Sequence, residues 1–230
     1  MPDDLDYGRL TQRSLIALFV CAVLVTTCYF YVDRAVAWFV FDNDFSRFRV
    51  LRWLTEIPPI LQSWAPAVIV AVAIRRAWGP LRRWECVVLA SGVGMVLADQ
   101  FRETLSYVFG RYWPQTWIDN NPSLIRDQAY GFHFFHGGIA YGSFPSGHTA
   151  RTVGILAPIW MAYARLRWIC ALALLAEVAG LLGMNYHFVG DTVGGGFVGG
   201  IVGAYTAYAC GVVRPPVHPN RFRKSISEDT

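Results

Sequence analysis

Tyr141-Gly-Ser-Phe-Pro-Ser-Gly-His-Thr-Ala150 joins a loop rich in glycine, serine and proline to the apolar segment that follows it. Pro145 is tolerated in the first turn of a helix, so a helix is predicted to start here and to expose free backbone N–H groups. Such a helix start attracts anions, phosphate above all. Gly147 lets the backbone approach an anion closely, Ser146 adds a hydroxyl donor, and His148 can move a proton near neutral pH. The alternative is an ordinary helix cap with an incidental histidine.

The composition is that of a membrane protein. Of 230 residues, 54% are hydrophobic and only 16% are charged, and the length suits a single domain. The net charge is +4, but the basic residues are scattered near the ends of apolar runs. This pattern indicates membrane topology rather than a nucleic-acid-binding patch. The expected partners are therefore a bilayer and no nucleic acid.

Six apolar spans predict an all-α, polytopic membrane helix bundle within residues 14–213. The spans are residues 15–32, 60–78, 84–109, 145–164, 168–185 and 191–213. Residues 33–59 mix aromatic side chains with arginine, which predicts an amphipathic interfacial segment that ends at Pro58-Pro59. Residues 110–145 form a long loop. Residues 1–13 and 214–230 are polar tails, and the acidic first tail does not resemble a cleavable signal peptide.

Small residues recur every fourth position along the sixth span. They are Gly195, Gly199, Gly203, Ala207 and Gly211. On a helix this spacing forms one face that a neighbouring helix can approach closely in lipid. We interpret the face as a packing surface inside the bundle rather than a dimerisation surface.

The distribution of cations predicts the orientation of the bundle. One set of twelve occupies the two tails and the short connections between spans 2 and 3 and between spans 4 and 5: Arg9, Arg13, Arg75, Arg76, Arg82, Arg83, Arg165, Arg167, Arg214, Arg221, Arg223 and Lys224. The opposite side carries six over longer stretches: Arg34, Arg47, Arg49, Arg52, Arg111 and Arg126. The positive-inside rule then places both termini in the cytoplasm. The loop 110–145 and the connection 186–190 face outward.

Two histidines are predicted to meet on that outer side. His148 opens the fourth span, and His187 lies between the fifth and the sixth. Asp191 follows His187 by four residues, so its carboxylate can accept from one ring nitrogen and leave the other as a nucleophile. A second imidazole beside a phosphate cradle can protonate the leaving oxygen, which contributes about 10²–10⁴-fold. This arrangement suits phosphoryl transfer.

The two motifs resemble those of one family. Phe144-Pro145-Ser146-Gly147-His148 is similar to the Pro-Ser-Gly-His signature of the type-2 phosphatidic acid phosphatases, membrane enzymes related to bacterial acid phosphatases and vanadium haloperoxidases. Tyr186-His187-x3-Asp191 resembles the last motif of the family. The likeness covers roughly residues 84–213, and six spans is the membrane architecture of the family.

The resemblance implies roles for the matching residues. His187 would be the nucleophile that forms a phosphohistidine, Asp191 its orienting residue and His148 the general acid. Ser146 and Gly147 would hold phosphate oxygens. The resemblance implies no metal and no other cofactor. The predicted location is a bacterial inner membrane, with both termini in the cytoplasm and the active site on the periplasmic side.

The chain departs from the family at three cationic positions. Gly110-Arg111-Tyr112-Trp113-Pro114 keeps the Gly-Arg pair and the proline of the first motif. Ser106 and Trp113 occupy the positions of its lysine and second arginine, and Leu181 occupies that of the arginine in the last motif. A phosphoryl site needs cations to neutralise the equatorial oxygens.

Three other arginines are predicted to supply the missing positive charge. Arg111 remains in the loop, Arg151 lies three residues after His148, and Arg102 lies four residues before Ser106. A charge inside a membrane helix is costly and therefore indicates function. The alternatives are an ion pair of Arg102 with Asp99 or Glu103, and an Arg151 that reaches to the interface.

Aromatic and polar residues near the two motifs are predicted to contact the substrate. They are Trp113, His133, His136, Asn185 and Tyr186. His133 and His136 could roof the site or belong to an aromatic belt at the interface, and both alternatives stay open. They are three residues apart, but no third ligand shares their spacing, so no metal site is predicted.

The predicted function is the hydrolysis of a lipid or isoprenoid phosphate or diphosphate at the outer membrane face. Substrates compatible with the resemblance are phosphatidate, phosphatidylglycerol phosphate, undecaprenyl diphosphate and lipid A. One alternative is a transferase that resolves the phosphohistidine, or its phosphodiester equivalent, with an acceptor alcohol. Another is a lipid-binding relative that has lost catalysis together with the cations.

Overall fold

The computed structural model describes residues 7–213, and the parts of both tails outside this range are not described. The predicted all-α class is confirmed for this range, in which only isolated bridges and no β-strand occur. The helices are α1 (Tyr7–Thr27), α2 (Asp33–Asp42), α3 (Arg49–Ala77), α4 (Arg83–Phe109), α5 (Leu124–Asp127), α6 (Gly147–Ala162), α7 (Arg167–Gly183) and α8 (Val189–Ala209). Short 3₁₀ turns span Phe45–Arg47, Ile139–Tyr141 and Ala164–Leu166.

The boundaries predicted around residues 33–59 are wrong. A π-helical turn over Cys28–Val32 joins α1 to α2, so one continuous rod covers Leu10–Asp42. The next helix, α3, begins at Arg49 and runs through Pro58 and Pro59 instead of ending there. Prolines remove backbone donors, but neighbouring helices compensate when they pack against the affected turns. Here α3 packs on α4 and α7 along its length.

Four of the helical segments are long and apolar enough to cross a membrane. They are Leu10–Asp42, Arg49–Ala77, Arg83–Phe109 and Ala164–Gly183. Large apolar side chains project from them, among them Phe19 and Trp53, each 71% exposed. A bilayer would cover such surfaces. The predicted fourth and sixth spans correspond to α6 and α8, which are not among the four, so the count of six stays a prediction.

The core lies where α4, α6 and α8 pack closely against one another at glycine residues. A Cβ added to Gly94 would lie 2.7 Å from the carbonyl oxygen of Gly154, and one added to Gly203 would lie 2.7 Å from Ala157 Cβ. Added Cβ atoms at Gly195 and Gly199 would likewise collide with backbone of α6. The glycine face of α8 therefore packs on α6 inside the chain, because only small residues allow so close an approach.

This packing brings the N-terminal ends of α6 and α8 together. The backbone N–H of Ser146 donates to the carbonyl oxygen of Asp191, at 2.9 Å. The turn before α8 contains Asn185 in a left-handed conformation, with φ of 51°. Its amide nitrogen donates to the carbonyl oxygen of Ala37, at 3.0 Å, which fixes the turn against α2.

Candidate active site

His148 and His187, predicted to form the site, are neighbours. His148 is the second residue of α6, His187 lies in the turn before α8, and their ring centroids are 5.9 Å apart. A nucleophile approaches phosphorus to about 3–3.5 Å, and an acid bonds to the leaving oxygen at about 2.7–3 Å. The two imidazoles are therefore close enough to contact the same phosphoryl group.

Asp191 lies beside His187 and is held from several directions. Its Oδ2 accepts from the hydroxyl of Ser143 at 2.6 Å and from the backbone N–H of Phe188 at 2.9 Å. The same oxygen is 3.6 Å from His187 Nδ1, longer than a hydrogen bond. That nitrogen is buried and has no hydrogen-bond partner within residues 7–213. A ring movement of about 1 Å would complete the bond.

Arg111 is fully buried between two carboxylates. Its NH1 donates to Asp191 Oδ1 at 2.6 Å, and its NH2 donates to Asp33 Oδ2 at 2.7 Å. Burial by itself would lower the pKa of Arg111, but the charges of Asp191 and Asp33 outweigh it and raise that pKa. The phosphate-binding role predicted for Arg111 does not fit this geometry, because both terminal nitrogens already serve carboxylates. Arg111 orients Asp191 instead.

Aromatic side chains enclose the guanidinium of Arg111. Its central carbon lies 4.4 Å from the ring centroid of Phe188 and 4.8 Å from that of Phe132, within the range of cation–π attraction. The hydroxyl of Tyr130 accepts from Arg111 NH2 at 3.2 Å and donates to the carbonyl oxygen of Tyr29 at 2.6 Å. Burial raises the pKa of Tyr130, so the hydroxyl keeps its proton for this bond.

The other two predicted arginines, Arg102 on α4 and Arg151 on α6, both contact the first turn of α6. Arg151 Nε donates to the carbonyl oxygen of Gly147 at 2.9 Å, and its NH1 bonds to Gln62 Oε1. A Cβ added to Gly147 would lie 2.9 Å from Arg102 Nε, so that guanidinium packs directly on the glycine. The Nε of Arg102 and Oδ1 of Asp99 are buried without a hydrogen-bond partner in the described range. The ion pair given as the alternative is present, because Arg102 NH2 lies 2.8 Å from Glu103 Oε2. Phosphate binding by these arginines stays a prediction.

Ser146 serves as the cap of α6. It is fully buried, and its hydroxyl oxygen accepts from the backbone N–H of Thr149 at 3.3 Å and lies 3.2 Å from the hydroxyl oxygen of Thr149. A serine in this position satisfies one of the free N–H groups of the helix start. Ser146 accepts in both contacts and its own O–H is not engaged by them, so its predicted contact with phosphate stays a prediction beside its role as the helix cap. Gly147 and the partly exposed His148 remain at the site.

Three aromatic residues form a row beside His187. The ring of Trp113 is 5.3 Å from that of His187, and its indole N–H donates to the carbonyl oxygen of Ile139 at 2.6 Å. Trp117 lies 5.1 Å from Trp113 and 4.8 Å from Tyr186, measured between ring centroids. Of the two residues predicted to contact substrate, Trp113 therefore packs against the His187 ring, and the Tyr186 ring lies at the far end of the row.

The remaining predicted contact residues lie elsewhere. Asn185 is 2% exposed and its amide is bonded to Ala37, so its substrate-binding role does not fit. His133 packs on Tyr112 at 4.4 Å, and His136 packs on Tyr141 at 5.4 Å. These histidines thus belong to an aromatic cluster within the loop, separate from the row beside His187.

The positions where the resemblance expects cations are occupied by buried, uncharged side chains. Ser106 is 7% exposed, Trp113 is 8% exposed, and Leu181 is sealed. Sequence reasoning missed Asp33 and Gln62, which contact the arginines. The signal for Asp33 was an acidic residue directly after the apolar run that ends at Val32, a costly position for a charge.

Searches among curated proteins and among solved structures each gave no match for this chain. The model of the PAP2 superfamily matches residues 87–214, more than half of the chain. The match includes both histidines, Asp191 and all three arginines discussed above, whereas Asp33 lies outside it. By its sequence and by the pairing of its two motifs, the chain belongs to the PAP2 superfamily.

Proposed function

We propose that the protein is an integral membrane phosphatase that hydrolyses a lipid or isoprenoid phosphate through a phosphohistidine at His187. Membership in the PAP2 superfamily supports phosphatase-type activity on phosphate esters. The observation that carries the proposal is the pair of imidazoles at 5.9 Å, with a carboxylate beside one and two arginines beside the other.

The first step transfers the phosphoryl group to the enzyme. His187 Nε2 attacks phosphorus while Nδ1 donates its proton toward Asp191, and a P–N bond forms as the P–O bond to the lipid alcohol breaks. His148 gives its proton to the leaving oxygen, so the lipid departs as a neutral alcohol. Asp191 stabilises the positive charge that develops on the His187 ring.

The second step returns the enzyme to its starting state. The neutral His148 accepts a proton from water, and the resulting hydroxide oxygen attacks phosphorus. The P–N bond breaks, inorganic phosphate leaves, and both histidines regain their original protonation. Arg102 and Arg151 neutralise the equatorial phosphate oxygens, where charge must be balanced in the transition state.

An apolar groove supports a lipid rather than a water-soluble substrate. It has a volume of about 550 Å³ and lies between α1, α4 and α8. Phe101 and Leu105 line it on α4, on either side of Arg102 in the sequence, and Phe197 lines it on α8. An acyl or prenyl chain in the groove would bring its phosphate end toward the arginines.

A substitution in the groove tests this assignment. Replacing Ile201, which lines the groove on α8, with tryptophan would fill part of its volume. We expect the KM for long-chain lipid phosphates to rise while that for a short-chain, water-soluble analogue stays unchanged. An equal effect on both chain lengths would place the lipid chain elsewhere.

The proposal includes six spans, with both termini in the cytoplasm and the site on the periplasmic side of a bacterial inner membrane. It rests on the four apolar segments and on the uneven distribution of arginine. Single cysteines introduced at Asp119 and at Arg82 provide the test in cells. A membrane-impermeant thiol reagent should label the first and not the second, and the reverse result would invert the topology.

The activity test uses the purified protein in detergent with a panel of lipid phosphates and free phosphate as the readout. Release from at least one lipid, absent in His187→Ala, supports the phosphatase. Appearance of phosphate on an added acceptor lipid instead supports the transferase alternative. Binding of a lipid phosphate without any turnover would support a relative that has lost its chemistry.

A further inference from the structure

Asp33 is an acidic residue with no exposed surface in the described structure, at the start of α2. It follows a π-helical turn, Cys28–Val32, a feature that is frequent at functional sites. Both of its carboxylate oxygens have partners: Oδ1 accepts from the backbone N–H of Gly190 at 2.9 Å, and Oδ2 accepts from Arg111 NH2 at 2.7 Å. A buried charge with this many partners is held in one geometry.

We infer that Asp33 is a positioning residue for His187, acting through Arg111 and Asp191. The inference rests on the proposed function of His187 as the nucleophile. It extends the catalytic apparatus to the first helical rod, which lies outside the 87–214 region matched by the superfamily. The hydrogen-bond partners of Asp33 are Arg111 and Gly190, so it acts on His187 through other residues.

Asp33 affects the charge that Asp191 presents to His187. Arg111 NH1 is 2.6 Å from Asp191 and would, as a lone partner, neutralise it. Asp33, at 2.7 Å from NH2, shares the same guanidinium and leaves the three residues with a net charge of about −1. This residual negative charge stabilises the imidazole ring as it becomes positive during attack on phosphorus.

Asp33 also contacts the first turn of α8. Gly190 precedes Asp191, and its backbone N–H is fixed by Asp33. A Cβ added to Gly190 would lie 3.0 Å from Asp33 Oδ2 and 3.4 Å from Arg111 NH1, so glycine leaves the space that these side chains occupy. Asp33 thereby aligns the turn that carries both His187 and Asp191.

Asp33→Asn removes the charge with little change of shape. We expect kcat to fall about 10–100-fold with KM within about twofold, as for other residues that orient a catalytic group. Asp42→Asn, an exposed carboxylate on the same helix, is the matched control and should leave both constants unchanged. An Asp33→Asn variant with the wild-type kcat would overturn the inference.

A double-mutant cycle separates positioning from stability. If Asp33 acts through Asp191, adding Asp33→Asn to Asp191→Asn should cause little further loss of kcat. A role in folding alone would give the same fractional loss in both backgrounds, together with an equal fall in Tm. That additive result would overturn the inference.

A chemical readout decides the matter even if no substrate is found. Diethyl pyrocarbonate modifies neutral imidazole, and mass spectrometry can compare His187 with the exposed His136 in the same molecule. At mildly alkaline pH, Asp33→Asn should slow modification of His187 several-fold relative to His136. An unchanged ratio would overturn the inference, whereas an inactive wild type with a changed ratio would overturn only the proposed phosphatase activity.

Discussion

The charged residues of the site form two groups that differ in burial and in how closely their charges are paired. The carboxylate–arginine cluster of Asp33, Arg111 and Asp191 is sealed, and every charge in it has a partner within 2.7 Å. The arginine pair of Arg102 and Arg151 keeps side-chain exposures of 18% and 14%. Its nearest shared carboxylate, Asp99, lies 3.8 Å from Arg102 and 3.7 Å from Arg151, too far for hydrogen bonds.

In the proposed function, the sealed cluster orients His187 and the arginine pair binds the phosphate. The sealed cluster carries a net charge of about −1, and its three side chains have no exposed surface, so a ligand does not reach its donors. The arginine pair faces two carboxylates, Asp99 and the exposed Glu103, which lies 2.8 Å from Arg102 NH2, so this region is close to neutral. In the described range the Nε of Arg102 has no hydrogen-bond partner, and the guanidinium packs on Gly147. In the proposed mechanism the phosphate therefore binds at the second region, where an arginine donor remains, and reaches His187 from the side of His148.

The largest effect is expected when the histidines themselves are removed. His187→Ala should lower kcat by about 10⁶, as loss of a nucleophile does in other enzymes. His148→Ala should cost about 10²–10⁴ because it removes general acid help. Phosphate release from lipid substrates measures both.

An aryl phosphate with a good leaving group distinguishes the two histidines. It needs no proton in the first step, so phosphoenzyme formation by His148→Ala should recover on this substrate while that by His187→Ala should not. If both variants recovered, or if neither did, the assignment of His187 as the nucleophile and His148 as the general acid would be contradicted.

The sealed cluster can be broken by replacing Arg111 with methionine. Two carboxylates would then face each other in a buried site, and removing one partner of a buried ion pair costs about 3–5 kcal/mol. Arg111→Lys should fall between this variant and the wild type, because one ammonium cannot bridge both acids as the guanidinium does. Thermal unfolding in detergent measures the loss.

Arg126→Met is the control, because Arg126 lies in the same loop with 41% of its side chain exposed. An exposed ion pair contributes about 0–1 kcal/mol, and Arg126 also donates to the carbonyl oxygens of Asn120 and Asn121, so this change should cost much less than loss of Arg111. Equal stability of the Arg111 and Arg126 variants would show that the sealed cluster does not hold the fold.

The open half can be tested by Arg102→Gln and Arg151→Gln. Each should lower kcat/KM by about 10²–10³, the cost of removing a charged contact made in the transition state, and leave the unfolding temperature close to that of the wild type. For Arg111 we expect the reverse, because its replacement should lower the unfolding temperature. Arg52→Gln is the control, since that side chain is 69% exposed. Activity retained by both variants would mean that other groups bind the phosphate.

A smaller effect is expected from Gly147→Ala. The added methyl group would lie about 2.9–3.1 Å from the guanidinium of Arg102, which must move away. The backbone stays helical, so stability should hold, while loss of one charge-assisted contact should reduce kcat/KM roughly tenfold. Combined with Arg102→Gln, the change should have little further effect, and a full additional loss would contradict the contact.

The smallest effect is expected from chelation. Nucleophile and acid are both histidines in the proposed mechanism, so EDTA should leave phosphate release unchanged. Loss of activity in EDTA with recovery in Mg²⁺ would contradict it. Vanadate should inhibit by mimicking five-coordinate phosphorus at His187, and Arg102→Gln should weaken that inhibition more than Arg126→Gln does.

The sequence predicted the parts of the site that depend on local spacing. His148 at a helix start, and His187 four residues before Asp191, follow from short motifs and from apolar periodicity. The sealed cluster could not be predicted in this way, because Asp33 and Asp191 lie 78 and 80 residues from Arg111. Such a contact follows only from the packing of the first rod against α8.

The fold shows the same limit. Proline and an arginine-rich stretch are local signals, and they suggested a break at Pro58-Pro59 that α3 does not have. The helix survives because α7 approaches it closely: an added Cβ at Gly180 would lie 2.7 Å from the carbonyl oxygen of Leu51. Contacts between distant segments override local preference at this point, and a single sequence does not reveal them.

The hydrogen bond from Ser146 N–H to the carbonyl oxygen of Asp191 uses main-chain atoms on both sides. The spacing of the two reactive imidazoles is therefore set largely by the backbone and depends little on which side chains surround them. Three cationic positions can then change to serine, tryptophan and leucine while the histidines stay in register. If the proposed function holds, the two histidines are inherited with the scaffold, whereas the cations that bind the substrate are free to move to other positions. Divergence of substrate preference in this superfamily could proceed by such migration, without rebuilding the centre.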